Sequence, residues 1–128
     1  GGALRLLATT PRIYGPSLVF EEKYRNLGYW CSPQDFAAWT LDVPQAGRYQ
    51  VSLDYACENG AAGDRFVIQV GGQSLAGQVE GTGSWDNYRT KMIGTIDLPA
   101  GPVELLLRSD GPVKSAMIDL RGIRLVRK

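Results

Sequence analysis

The sequence contains no histidine. Histidine is the commonest general base and the commonest zinc ligand in proteins, so the usual partner of a serine or cysteine nucleophile is missing. Neither glycine-rich phosphate-binding pattern, GxGxxG or GxxxxGK[ST], occurs in the chain. With no identifiable base and no phosphate loop, the sequence predicts a protein that is not an enzyme.

The chain also lacks an excess of charge and a long apolar run. Its 14 basic and 13 acidic residues give a net charge of +1, which argues against nucleic acid or an anionic membrane as partner. No apolar stretch is long enough to span a bilayer, and the N-terminus has no signal-peptide pattern. With 128 residues, the length fits one domain. Because the chain begins Gly1-Gly2, a tag remnant or a cut end, we expect a single domain (1–128) excised from a larger protein.

Only two cysteines are present, Cys31 and Cys57. Cys57 ends an apolar strand, where a small buried thiol is the ordinary interpretation. The sequence leaves a disulfide open, because a bridge depends on a geometry that spacing alone does not give.

Alternating apolar and polar residues dominate the rest of the chain. Two such runs flank Pro44 and Gly47 within Trp39–Ala56, and they predict an antiparallel hairpin with Trp39 in the core. A long loop is expected over residues 23–35. Further strands are predicted at 3–9, 17–22, 65–70, 73–81, 88–98, 103–109 and 117–128. With a turn at Gly71-Gly72 and a β-bulge at Gly122, the pattern predicts an all-β jelly-roll β-sandwich of two antiparallel sheets.

Large aromatic residues stand in predicted loops rather than strands. Tyr29 and Trp30 lie in the 23–35 loop, and Trp85 lies in the polar loop 81–87. A large ring in a surface loop covers either a core edge or a ligand, and the flat face of a sugar suits such a ring. Tyr29 and Trp30 therefore either bind a sugar or close the end of the sandwich.

Six segments in order resemble carbohydrate-binding modules of families 6 and 35: NLGYW (26–30), AAWTLDVPQAGRYQVSLDYA (37–56), FVIQVGGQSL (66–75), GTGSWDNY (81–88), IDLPAGPVELLLR (96–108) and IDLRGIRL (118–125). The resemblance implies a galactose-binding-like β-sandwich that binds polysaccharide without catalysis. It also implies a monomeric module attached to the catalytic domain of a bacterial enzyme that is secreted, periplasmic or on the cell surface.

In those modules, two aromatic side chains at the loop edge hold the sugar. The resemblance places one of them at Tyr29 or Trp30 and the other at Trp85. A structural calcium ion is commonly bound by a glutamate of the first strands and an aspartate of the last. Glu21 or Glu22 and Asp119 match those positions, and carboxylate oxygens are ligands that calcium prefers.

One position departs from the family pattern. The asparagine that often bonds sugar hydroxyls, two residues before the last-strand aspartate, is Met117 here. Four polar residues offer a replacement: Asp86, Asn87, Arg89 and Lys114. A basic pair, Arg89 and Lys114, near Trp85 would suit a carboxylated or sulfated sugar.

Two other functions stay open at this point. Met117 favours a structural β-sandwich that packs against a neighbouring domain and binds no sugar. A flat apolar patch around the loop aromatics would indicate that interface, whereas a concave face with polar neighbours would indicate binding. A catalytic sandwich would need two carboxylates, such as Asp35 and Asp86, to converge in a cleft.

Overall fold

The computed structural model describes residues 3–128, so Gly1 and Gly2 lie outside the described residues. These residues form eleven β-strands and a single-turn 3-10 helix at Asn59–Ala61. In chain order the strands are β1 (Ala3–Leu7), β2 (Arg12–Tyr14), β3 (Val19–Glu21), β4 (Asn26–Gly28), β5 (Phe36–Val43), β6 (Gly47–Ala56), β7 (Arg65–Val70), β8 (Gln73–Gln78), β9 (Arg89–Leu98), β10 (Gly101–Ser109) and β11 (Asp119–Arg127).

The strands form two antiparallel sheets around one apolar core. One sheet has the order β3-β4-β11-β6-β9, with β1 also paired to β11, and the other has the order β2-β5-β10-β7-β8. Both sheets contribute buried side chains to the same core, including Leu53 and Ile123 from the first and Ile68 and Leu105 from the second. The predicted all-β sandwich is confirmed.

The predicted hairpin at Trp39–Ala56 is wrong. Strand β5 pairs with β2 and β10, whereas β6 pairs with β11 and β9, so the turn at Pro44 carries the chain from one sheet to the other. Alternation requires only that one face of each strand be buried, and strands that face each other across a core satisfy it as well as paired neighbours do. The predicted facing is confirmed, since Trp39 and Tyr49 are both buried.

Two short strands fall where turns or a loop were predicted. Strand β2 lies in the turn-rich segment before Gly15, and β4 lies inside the predicted 23–35 loop. Each has three residues, which is too short to display a period of two. Two local predictions are confirmed: Val70 pairs with Gln73 across the glycine turn, and the β11 register shifts between Leu120 and Gly122.

Both cysteines are free thiols, Cys31 exposed and Cys57 buried. Burial in the core, helped by nearby carboxylates, raises the pKa of the Cys57 thiol to about 11, so this thiol stays protonated at neutral pH. Within residues 3–128, no helix has the length and apolar character needed to cross a membrane.

Candidate functional site

A concave cavity of about 580 Å³ opens at one end of the six-stranded sheet. At this end β6 finishes and β9 and β11 begin, since Asp119 pairs with Ala56 and Arg89 pairs with Tyr55. Four aromatic rings contribute to its wall: Tyr24, Tyr29, Trp85 and Tyr88. We call this site the aromatic cavity. Its concave shape is the feature that distinguishes a binding site from a flat interface patch.

Trp85 is fixed in the cavity wall by its loop. The indole Nε1 donates a hydrogen bond to Oε2 of Glu58 at 3.1 Å, and the ring packs partly against the core. Thr82 anchors the start of the loop, because its hydroxyl accepts a bond from the Cys57 amide at 3.0 Å. The Asn87 side chain donates to the Thr82 carbonyl and closes the loop. The ring therefore has a defined position before any ligand arrives, which reduces the entropy cost of binding.

Tyr29 and Trp30 have opposite environments. The Trp30 ring is fully buried, and its Nε1 donates to the Asp35 carbonyl at 3.1 Å, so it closes the end of the sandwich and is no sugar platform. Tyr29 keeps 61% of its surface exposed and lines the aromatic cavity. Its φ of 57° is in the left-handed region, which costs a non-glycine residue roughly 1 kcal/mol or more. Such strain at an exposed ring is typical of a functional position.

The Asp35 carboxylate holds the chain segments around Tyr29 and Trp30. It is fully buried, and its Oδ1 accepts from the amides of Ser17 and Leu18 at 3.0 and 3.1 Å. Its Oδ2 accepts from the amides of Cys31 and Ser32 at 3.2 and 3.0 Å, and from the Ser17 hydroxyl. Burial alone would raise the Asp35 pKa, but these bonds together lower it. Asp35 is thus a structural anchor, and it does not line the cavity with Asp86 as a catalytic pair would require.

The cavity wall is rich in carboxylates. Glu21, Glu58, Asp86 and Asp119 line it, against a single guanidinium, that of Arg121. Burial raises the pKa of Asp119 to about 7, and repulsion from Glu21 and then Asp86 adds to the effect. Even with Asp119 protonated, three carboxylates face one guanidinium, so the cavity has a net negative charge that disfavours an anionic ligand.

The raised pKa of Asp119 predicts how stability depends on pH. The unfolded chain ionises this carboxyl near pH 4, whereas the folded protein keeps the proton up to about pH 7, so stability falls as pH rises through that window. Asp119→Asn, which removes the charge, should raise the melting temperature above the parent's at pH 8 and leave it nearly unchanged at pH 4. Melting curves at both values measure this, and an equal effect at both would contradict the assignment.

Arg121 and Tyr88 form a stacked pair in the same wall. The Arg121 guanidinium lies 3.7 Å from the centroid of the Tyr88 ring. Its Nε donates a hydrogen bond of 3.4 Å to the Tyr24 carbonyl. Arg121 is the extra residue of the bulge between Leu120 and Gly122, and such bulges often re-aim a side chain toward a site.

Sequence reasoning missed seven of the twelve lining residues, among them Tyr24, Glu58, Tyr88 and Arg121. The spacing of the last strand could have identified Arg121, because it lies two residues after Asp119 and so on the same side of the strand.

The predicted polar clamp is assembled only in part. Asp86 lines the cavity, but Asn87 is engaged with its own loop. Arg89, the first residue of β9, does not line the cavity, whereas Tyr88 just before the strand does. Lys114 bonds the Ala62 carbonyl at 3.2 Å and lines a separate depression. The expectation of a basic pair beside Trp85 is therefore wrong.

Two predicted metal ligands lie together, and one does not. Glu21 and Asp119 line the cavity, while Glu22 is exposed outside it. Across residues 3–128, no three acidic, cysteine or histidine side chains converge as a metal-ligating group. Calcium takes six to eight oxygen ligands, so two carboxylates alone do not complete its shell, and the calcium site stays a prediction. Met117, at the family's asparagine position, is fully buried and offers no polar group to the cavity.

The sequence matches no protein-family model. Among curated proteins, it is 35% identical over 81 residues to the β-agarase AgaO of Microbulbifer thermotolerans. The match covers 60% of this chain and only 7% of the length of that enzyme.

Several solved structures with the same fold are described as carbohydrate-binding modules. The family 35 module from Clostridium thermocellum has a TM-score of 0.81 at 16% identity and covers all of both chains. The C-terminal family 6 module of the laminarinase LamC from Zobellia galactanivorans has a TM-score of 0.78 at 22% identity, over 98% of this chain and 100% of its own. The family 6 module of Cellvibrio mixtus lichenase 5A, solved with cellotriose, has a TM-score of 0.76 at 18% identity, over 98% and 97%. The chain has the fold of family 6 and family 35 modules, as predicted.

Proposed function

We propose that this protein is a non-catalytic carbohydrate-binding module and that the aromatic cavity is its glycan site. The carrying observation is a concave cavity in which Tyr29 and Trp85 present rings among carboxylates and one guanidinium. Sugar rings stack their C–H faces on such rings, while charged oxygens accept bonds from sugar hydroxyls. The shared fold with modules of a laminarinase and a lichenase supports the proposal.

The role follows from modest single-site affinity. A few stacked rings must offset the loss of translational and rotational freedom, so we expect a Kd on the order of micromolar to millimolar. A module of this strength acts by raising the local concentration of an attached catalytic domain on its polysaccharide. We infer that the parent is a bacterial enzyme that is secreted or on the cell surface, and that the module itself is monomeric. The agarase relative makes agar oligosaccharides the first probes.

The site's charge narrows the ligand class. An acidic glycan was the expectation while Arg89 and Lys114 were placed beside Trp85. The cavity instead holds four carboxylates against Arg121, so we propose a ligand that carries no negative charge.

The test is a glycan array on the isolated domain with two variants. Trp85→Ala should weaken binding at least about 30-fold, because truncation of a central ring typically costs 2 kcal/mol or more. Tyr29→Gly should also abolish binding, yet it relieves the left-handed strain and so should leave the melting temperature equal or higher. Arg89→Ala, outside the cavity, is the matched control and should bind like the parent. The array holds agar, laminarin and cello-oligosaccharides with uronic and sulfated glycans.

Each outcome has a distinct meaning. Loss in both ring variants with the control intact supports the glycan site. Repeating the array with a chelator tests the prediction that Glu21 and Asp119 hold a calcium ion. Glycan binding should be lost in chelator only if an ion is bound. Silence of the folded parent on every glycan would contradict the proposal and favour the structural module, which the buried Met117 also suits.

A further inference from the structure

Four carboxylates reach the aromatic cavity from four separate parts of the chain. Glu21 ends β3, Glu58 follows β6, Asp86 lies in the Trp85 loop and Asp119 begins β11. Glu21 is held by a buried partner, because the Asn26 side chain donates to its Oε1 at 3.1 Å. Since the carboxylates surround a volume rather than converge on a point, they suit a guest larger than a metal ion.

The rings of the cavity give an independent indication of the guest's charge. Two of the four already have a cation of this chain over their face. The Lys23 ammonium is 5.3 Å from the centroid of Tyr24, and the Arg121 guanidinium is 3.7 Å from that of Tyr88. Among the described residues, the other two rings, Tyr29 and Trp85, have no such cation. Electron-rich ring faces beside carboxylates are the surroundings in which a protonated amine binds well.

Resting on the proposed function, we propose that the aromatic cavity selects a glycan whose bound sugar carries a protonated primary amine. The sugar ring stacks on Trp85 or Tyr29, and its ammonium group faces the carboxylates of Asp86 and Glu58. The amine supplies the positive charge that this wall lacks, whereas an N-acetyl group or hydroxyl at the same carbon does not. The Arg121 guanidinium does not pair with these carboxylates, because it contacts the Tyr88 ring and donates to the Tyr24 carbonyl.

The experiment compares matched sugars by isothermal titration calorimetry at pH 6. Oligosaccharides ending in glucose or galactose are each prepared with a hydroxyl, an N-acetylamino group or a free amine at carbon 2. The free-amine form should bind about tenfold more tightly than the other two. Asp86→Asn and Glu58→Gln should reduce that preference to threefold or less, and the glutamine keeps an acceptor for the Trp85 indole. Asp42→Asn, the same change at an exposed strand position outside the cavity, should preserve it.

Lys23 provides a variant that should act in the opposite direction. Lys23→Gln removes a competing ammonium beside Tyr24 and should strengthen binding of the amine form alone. Equal affinity for amine and hydroxyl forms, or a preference untouched by Asp86→Asn and Glu58→Gln, would overturn the inference and leave the glycan site standing. Binding of neutral array glycans with no binding of either amine series would also overturn it. If no glycan of any class binds the folded protein, the proposed function itself fails.

Discussion

Asp35→Asn is expected to lower the free energy of unfolding by about 3–5 kcal/mol, since it disrupts a buried, charge-assisted hydrogen-bond network. The two carboxylate oxygens accept five hydrogen bonds between them. Each oxygen accepts at least two, so either placement of the amide turns its NH₂ group toward at least two donors. No rotation of the new side chain avoids this conflict. The close packing at this point also leaves no space to move, because a Cβ on Gly15 would lie 2.2 Å from Oδ1 of Asp35.

The same network predicts loss of stability in acid. Its hydrogen bonds hold the pKa of Asp35 below its usual value despite burial, so the carboxylate stabilises the fold fully above about pH 4. That contribution disappears as pH falls through the unfolded value toward the lower folded one. The deficit of Asp35→Asn relative to the parent should therefore be largest near neutral pH and shrink in acid.

Urea denaturation at several pH values between 2 and 7 measures both effects. Asp42→Asn again serves as control, because it makes the identical change at an exposed position and should stay within about 0.5 kcal/mol of the parent. If Asp35→Asn unfolds at the same urea concentration as the control at pH 7, the Asp35 hydrogen bonds do not contribute to the free energy of unfolding. Glycan binding should weaken in Asp35→Asn at temperatures where the fold persists, because the anchor positions the Tyr29 segment.

The fold class was predictable because its signals are local. Strand β10 alternates cleanly along its length, and Gly71-Gly72 specifies a two-residue reversal. These patterns state which face of a strand is buried and where the chain turns. They do not state which strand lies beside which, so the pairing of β5 and β6 with different sheets could not be read from them.

The candidate site was predictable to the extent that a resemblance supplied it. Tyr29, Trp85, Asp86, Glu21 and Asp119 were named in advance and line one cavity. Five predicted residues lie outside the cavity wall, and no sequence pattern states the contacts of their side chains: Glu22, Trp30, Asn87, Arg89 and Lys114.

Trp30 shows the problem most clearly. It is adjacent to Tyr29 in a segment without regular alternation, and the left-handed backbone at Tyr29 is a conformation that residue types alone do not predict. Arg89 was misplaced in a similar way, since it is the adjacent Tyr88, just before β9, that lines the cavity.

Trp39→Ala is expected to cost about 3–5 kcal/mol in the free energy of unfolding. The ring is 2% exposed in the common core, and its removal leaves a cavity that the surrounding strands fill only in part. Its Nε1 also donates to the Leu7 carbonyl at 2.9 Å, which ties β5 of one sheet to β1 of the other.

A second variant separates the two contributions to the loss of stability in Trp39→Ala, which are the apolar volume and the indole hydrogen bond. Trp39→Phe keeps most of the apolar volume and removes the indole N–H, so it should cost substantially less than the alanine change. Denaturant unfolding of both variants is compared with that of Leu41→Ala, because Leu41 is half-buried on the same face of β5. The comparison shows how the cost in free energy of unfolding falls from the core to its periphery. A Trp39→Ala protein that unfolds like the parent would mean that the inner face of β5 does not carry the core. If alanine and phenylalanine cost the same, the link between the sheets, rather than the filled volume, makes Trp39 important.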